Sequence, residues 1–161
     1  MILVFLFGFN CITFSQTVTI GTQVWMTKNL DVSTFRNGDP IPEANTEEEW
    51  TKAGEEGRPI WCYYPYDSTD KEEHGKLYNW HAVNDPRGLA PAGWKIPTEK
   101  KWNKLVSFLG GENVAGAKMK SANGWFDSGS GTNESGFSGL PSGNRSDFYE
   151  GGIGAFYSGG E

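Results

Sequence analysis

Fourteen of the chain's 22 glycines fall between Gly110 and Glu161. A glycine inside a helix costs about 1 kcal/mol relative to alanine, because it has the most backbone freedom to lose on folding. So dense a distribution excludes a long helix there and predicts short strands joined by broad loops. The expected strands are "GFSGLP", residues 136–141, and "GIGAFYSG", residues 152–159. Just ahead stands the opposite kind of segment. In "GWKIPTEKKWNKLVSFLGG", residues 93–111, Pro97 keeps the entering chain extended and Thr98 is placed to cap the first turn. Trp102, Leu105, Val106 and Leu109 recur at helical spacing as one apolar stripe, and Gly110 and Gly111 suit the left-handed turn that closes a helix. A rigid helix thus precedes a loop-rich tail, with near-complete burial expected for Trp102, Leu105 and Leu109.

Upstream, the patterns are shorter. "TVTIGTQVWM" alternates on both sides of Gly21-Thr22 and predicts a hairpin, with Val18, Ile20, Val24 and Met26 as its apolar positions. "NTEEEWTKAGEEG" predicts a short helix with a capping box of Thr46 and Glu49, Trp50 inward, and Gly54 and Gly57 ending it. Its acidic cluster suits the positive end of a helix dipole better than a metal. "PIWCYYPY" predicts a buried strand from Ile60 to Tyr64, "GKLYNWHAVND" a helical turn, and "GENVAGAKMKS" a second, shorter helix.

With 161 residues the chain is long enough for one domain with a real core and hardly for two. A net charge of −6, with scattered Lys and Arg, argues against nucleic acid as a partner. Seven Trp, six Tyr and ten Phe predict an aromatic core, with a minority available as ligand platforms. "MILVFLFGFNCITFS", residues 1–15, is too short to span a bilayer and fits a secretory signal peptide cut before Gln16. Thr13 and Ser15 are the small residues at −3 and −1, although the basic start of such a signal is missing. Asn10 before Cys11 argues against a lipid anchor. The expected mature domain, 16–161, is therefore secreted or on the surface of a bacterium, has no transmembrane segment, and keeps Cys62 as its single cysteine.

In order along the chain, "TVTIGTQVWMTKNLD", "GKLYNWHAV", "GWKIPTEKKWNKL", "VAGAKMKSANGW" and "GFSGLPSGNRSDFYEGGIGAFYSG" resemble the Fibrobacter succinogenes major paralogous domain (FISUMP). The resemblance covers nearly all of the mature chain. It implies a secreted or surface domain of Bacteroidetes-type and related bacteria, with no established biochemical activity. The "IPTEKKW" helix and the later "GFSGLPSGNR" also look like the formylglycine-generating enzymes and, more distantly, C-type lectin-like folds. The implied fold class is α+β and C-type lectin-like: short helices on a small twisted antiparallel sheet, with long irregular loops. Relatives usually continue through further strands past the "FYSG" phrase, so the last strands are expected to be missing here.

The candidate chemistry is sparse. His74 and His81 lie seven apart across a glycine, which is not the spacing of two metal ligands on one helix face. Cys62 sits in an apolar strand pattern, where thiols are inert. The cysteine pair that formylglycine-generating enzymes work through is not available to a chain with one mature cysteine. In "FDSGSGTNESG", Asp127, Asn133 and Glu134 form an oxygen-rich, glycine-flexed set suited to calcium, weighed against an ordinary turn whose side chains bond their own backbone. In "GNRSDFYEGG", Arg145, Asp147 and Glu150 offer hydrogen bonds to hydroxyls and Phe148 and Tyr149 flat faces, weighed against Arg145 in a salt bridge inside the fold and Phe148 in the core. The expected function is a non-catalytic binding or adhesion module for a glycan or a surface protein. The alternatives are an extracellular enzyme on polysaccharide or cell-wall material and a structural spacer.

Overall fold

The computed structural model describes residues 16–63, 74–126 and 128–145. It is a small α+β fold of short helices and two two-stranded antiparallel sheets. The first sheet is the predicted hairpin, β1 (Thr17–Ile20) and β2 (Gln23–Met26). Gly21 takes φ +62° while Thr22 stays out of the left-handed region, the pattern of a type II′ turn. That two-residue turn pairs Ile20 with Gln23 and Val18 with Trp25. Directly paired residues share a face, so in β2 Gln23 and Trp25 turn inward and Val24 and Met26 do not, contrary to the expected alternation. Buried Gln23 is satisfied because its amide donates to the Lys101 carbonyl at 3.0 Å.

Helix α1 (Glu47–Glu55) starts as its sequence promises: Thr46 Oγ1 accepts from the Glu49 amide. The reciprocal bond differs, since Glu49 accepts from Asn45 rather than from Thr46. Gly54 lies within the helix, and Gly57, at φ +68°, follows its end. Trp50 and Ala53 of α1 pack with Ala44, Ile60, Cys62 and Leu77. The predicted strand from Ile60 shrinks to β3 (Trp61–Cys62), paired with β4 (Leu77–Tyr78); Tyr64 lies outside the described residues. Each face of this sheet is covered. Cys62 and Leu77 meet α1, while Trp61 and Tyr78 join Phe35, Ile41, Ala82 and Leu89 in a second cluster. Asn79 then caps the one-turn helix α2 (Trp80–Val83), so "KLYNWHAV" is a strand and a turn rather than a turn throughout.

Helix α3 (Glu99–Phe108) is the quoted segment, capped by Thr98 and followed by Gly110 and Gly111 at φ +109° and +95°. Leu105 is fully buried and Leu109 nearly so; Trp102 is only half-buried. Helix α4 (Glu112–Met119) packs beside it. Ile20, Trp25, Leu105, Leu109, Ala115, Met119 and Phe137 form the third cluster, with Trp25 edge-on to Trp102 at 5.8 Å. "GFSGLP" is not a strand: only Gly139 bridges, to Lys120. "GIGAFYSG" lies outside the described residues. No described helix is long and apolar enough to cross a membrane.

Candidate functional site

Between α3, α4 and the returning loop 137–144 opens a cleft of about 700 Å³. Its apolar wall is Trp102, Val106, Ala115, Met119, Trp125, Phe137 and Leu140, with Glu112, Lys120 and Asn144 among its polar members. The helix stripe explains the wall. Leu105 and Leu109 point into the core, and Trp102 and Val106, on the adjoining side of the same stripe, are left half-buried at its edge. Trp125 stands edge-fixed, its indole N–H donating to Ser121 Oγ at 3.0 Å and to the Gly139 carbonyl at 3.3 Å. Lys120 lies over the Trp125 ring at 4.6 Å and donates to the Gly129 carbonyl. Asn29 closes one end, donating to the His74 carbonyl at 2.8 Å and to Ser142 Oγ. Such a site offers apolar and aromatic contact with a few oriented polar groups, the usual make-up of a ligand cleft.

The residues expected to bind are placed as follows. Arg145 points away to α1: its guanidinium lies 5.2 Å from the Trp50 ring and donates to the Thr46 carbonyl at 3.1 Å. It also sits beside the Cys62 thiol. Burial pushes that thiol's pKa up and Arg145 offsets the rise in part, so the group stays protonated and unreactive at neutral pH. Asp147, Phe148, Tyr149 and Glu150 lie outside the described residues. Of the calcium set, Asp127 also lies outside them. Asn133, at φ +51°, spends both side-chain atoms on Ser138, donating to its Oγ and accepting from its amide at 2.8 Å. Glu134 pairs with Lys118 at 3.1 Å. Among the described residues no group of three or more His, Cys, Asp or Glu could hold a metal. His81 Nε2 lies 3.2 Å from the Gly54 carbonyl, and His74 Nδ1 is buried with no hydrogen-bond partner among the described residues.

Sequence reasoning missed the cleft because its wall comes from segments far apart in the chain. Trp102 reads as core, and nothing local marks Met119 or Phe137 as facing an opening. Trp125, an aromatic set among glycines and serines, was the one available signal. No curated protein and no solved structure gives a significant match. The model of the Fibrobacter succinogenes major domain matches residues 18–158, nearly the whole chain, and the chain belongs to that family.

Proposed function

We propose that this chain is a secreted or cell-surface bacterial binding or adhesion module without catalytic activity, taking a glycan or a protein as ligand. The lectin-like arrangement of a stiff helical base under irregular loops is part of this reading. The observation that carries it is the aromatic cleft of about 700 Å³ beside α3 and α4, where a half-buried Trp102 and a fixed Trp125 give flat contact surfaces.

The test fills the cleft without disturbing the fold. A Cβ on Gly116 would meet nothing within 4 Å, and Gly116 lies in the cleft lining within α4. Leucine there also raises helix propensity by about 1 kcal/mol. Gly116→Leu is therefore expected to melt no lower than the parent and to lose its binding on a glycan and peptide array, run with and without calcium. Binding that survives this substitution moves the site elsewhere. Turnover of a bound polysaccharide, abolished by a single carboxylate substitution, overturns the module in favour of an enzyme.

A further inference from the structure

Asparagine followed by glycine occurs twice in the chain, at Asn37–Gly38 and at Asn123–Gly124. Such a pair is chemically weak, because a glycine without a side chain lets its amide nitrogen reach the asparagine Cγ. Both asparagines are exposed, so exposure does not separate the two pairs. Hydrogen bonding does. At the first pair both reacting groups are held: the Gly38 N–H donates to the Phe35 carbonyl at 2.9 Å, the Asn37 amide donates to Asp39 Oδ2 at 3.0 Å, and Asn37 Oδ1 accepts from the Asp39 amide at 3.1 Å. At the second pair neither the Gly124 N–H nor the Asn123 side chain has a hydrogen-bond partner among the described residues. The residue that follows is Trp125 of the cleft wall. Its indole N–H donates to Ser121 Oγ at 3.0 Å, and that hydroxyl donates in turn to the Asn123 carbonyl at 2.8 Å. These two bonds close a ring over residues 121–125 and set where the indole stands.

We infer that Asn123–Gly124 is a site of spontaneous covalent modification, and that its product releases Trp125 from the cleft wall. The Gly124 nitrogen bonds to Asn123 Cγ and the Cγ–Nδ2 bond breaks. The side-chain nitrogen leaves as ammonia, carrying the proton that Gly124 gives up. Water then opens the succinimide, its hydroxyl going to one carbonyl carbon and its proton to the ring nitrogen. Opening at Cγ gives aspartate. Opening at the main-chain carbonyl gives isoaspartate, whose backbone runs through the former side chain and is one methylene longer. The carbonyl that Ser121 held is then a carboxylate on a branch, outside the chain that leads into Trp125. The ring over 121–125 no longer fixes the indole, and binding in the cleft weakens as the protein ages. That loss of binding rests on reading the cleft as the ligand site; the reaction does not.

Ageing the full chain in mildly alkaline buffer, folded and in urea, and mapping its peptides by mass tests the reaction. In the folded chain Asn123 should convert at least about tenfold faster than Asn37, since three hydrogen bonds at the low end of their net worth amount to that factor. In urea the two should convert at similar rates. Equal rates in the folded chain overturn the proposal, and so does a preference of the same size that persists in urea. Chymotrypsin reads the consequence: it should cut after Trp125 severalfold faster in the aged chain than in the fresh one, because a released segment is open to the protease. Asn123→Gln, an exposed substitution whose longer side chain closes its imide far more slowly, should abolish both the conversion and the change in cutting. Conversion that leaves cutting after Trp125 unchanged overturns the link to the cleft. If array binding survives ageing although Gly116→Leu removes it, the ligand reading stands and this inference falls. If ageing releases Trp125 and no array ligand is found, the inference stands and the ligand reading falls.

Discussion

Lys76 shows how a single residue sets the chain's tolerance of pH. It is 5 % exposed, with its ammonium 4.6 Å and 4.9 Å from the Trp61 and Tyr63 rings and paired with the Asp31 carboxylate. Burial pushes its pKa down, but hydrogen bonds to Asp31 and Tyr63 outweigh this and leave it above the ordinary lysine value. A group whose pKa is raised on folding contributes stability that is full below its unfolded pKa and is lost as pH rises through the folded one. Stability at the Lys76 site is therefore expected to hold through neutral pH and fall above about pH 10.5. The two partners are unequal. Asp31→Ala removes the carboxylate that balances a buried ammonium, leaving it the Tyr63 hydroxyl and the main-chain carbonyl of residue 31, and should cost about 1.5–3 kcal/mol, whereas Lys76→Met leaves an Asp31 side chain that is 36 % exposed and rehydrates, so it should cost less. Urea melts of both variants at pH 7 and pH 11 check this. The alkaline loss should shrink in Lys76→Met, and an unchanged loss would remove Lys76 from the account.

Among the elements, α4 depends most on a segment that sequence patterns misassign. Its last carbonyls, with those just beyond, have no partners within the helix. The loop 131–139 supplies them: Thr132 donates to Ala117, Ser135 to Lys118, Gly139 to Met119 and Asn133 to Lys120. Gly131 makes this docking possible, because a Cβ there would lie 2.4 Å from the Ala117 carbonyl oxygen and 2.5 Å from that of Lys120. Gly93 is the control, with φ +84° and open space around it. Gly93→Ala should cost only the left-handed strain of about 1–2 kcal/mol. Gly131→Ala should cost more than that, because backbone on both sides must shift, and thermal melts will rank the two; a smaller loss at Gly131 would mean that the loop does not cap α4. The contrast with α3 explains what could be read in advance. Thr98, the 102–105–106–109 stripe and the Gly110-Gly111 stop are all local, so α3 emerges nearly residue for residue. "GFSGLP" looks like a strand because Phe137 and Leu140 are apolar among glycines, yet its backbone is claimed by a helix end some twenty residues earlier, which no local pattern records. The same holds for the site: Arg145 reads in sequence as a ligand contact or an internal salt bridge, and the structure gives it the distant Thr46 carbonyl and Trp50 ring instead of a carboxylate.

At the scale of the whole molecule, the chain leaves one cluster and comes back to it. β1 and β2 pack with α3, α4 and Phe137, whereas most of the segment from Leu30 to Ile96 builds the two clusters on either side of β3 and β4. Asn29 sits at the crossing between these halves. Its amide donates to the His74 carbonyl, 45 residues away, and to Ser142 Oγ, 113 residues away. Arg145 adds a second tie, from the end of the returning loop to Thr46 and Trp50. Large apolar contact holds each half together, while a few oriented polar bonds join them, so the junction is where cooperativity is most easily lost. Removing a side chain that satisfies partly buried groups costs about 1–3 kcal/mol. If the two halves were independent, Asn29→Ala would lower stability without changing the form of the transition. If the junction carries the coupling, the parent should melt as one unit, with calorimetric and van't Hoff enthalpies equal, and Asn29→Ala should raise their ratio above one. Scanning calorimetry of the two proteins distinguishes these cases, and a single unchanged two-state transition in Asn29→Ala would show that Asn29 is not the residue coupling the halves.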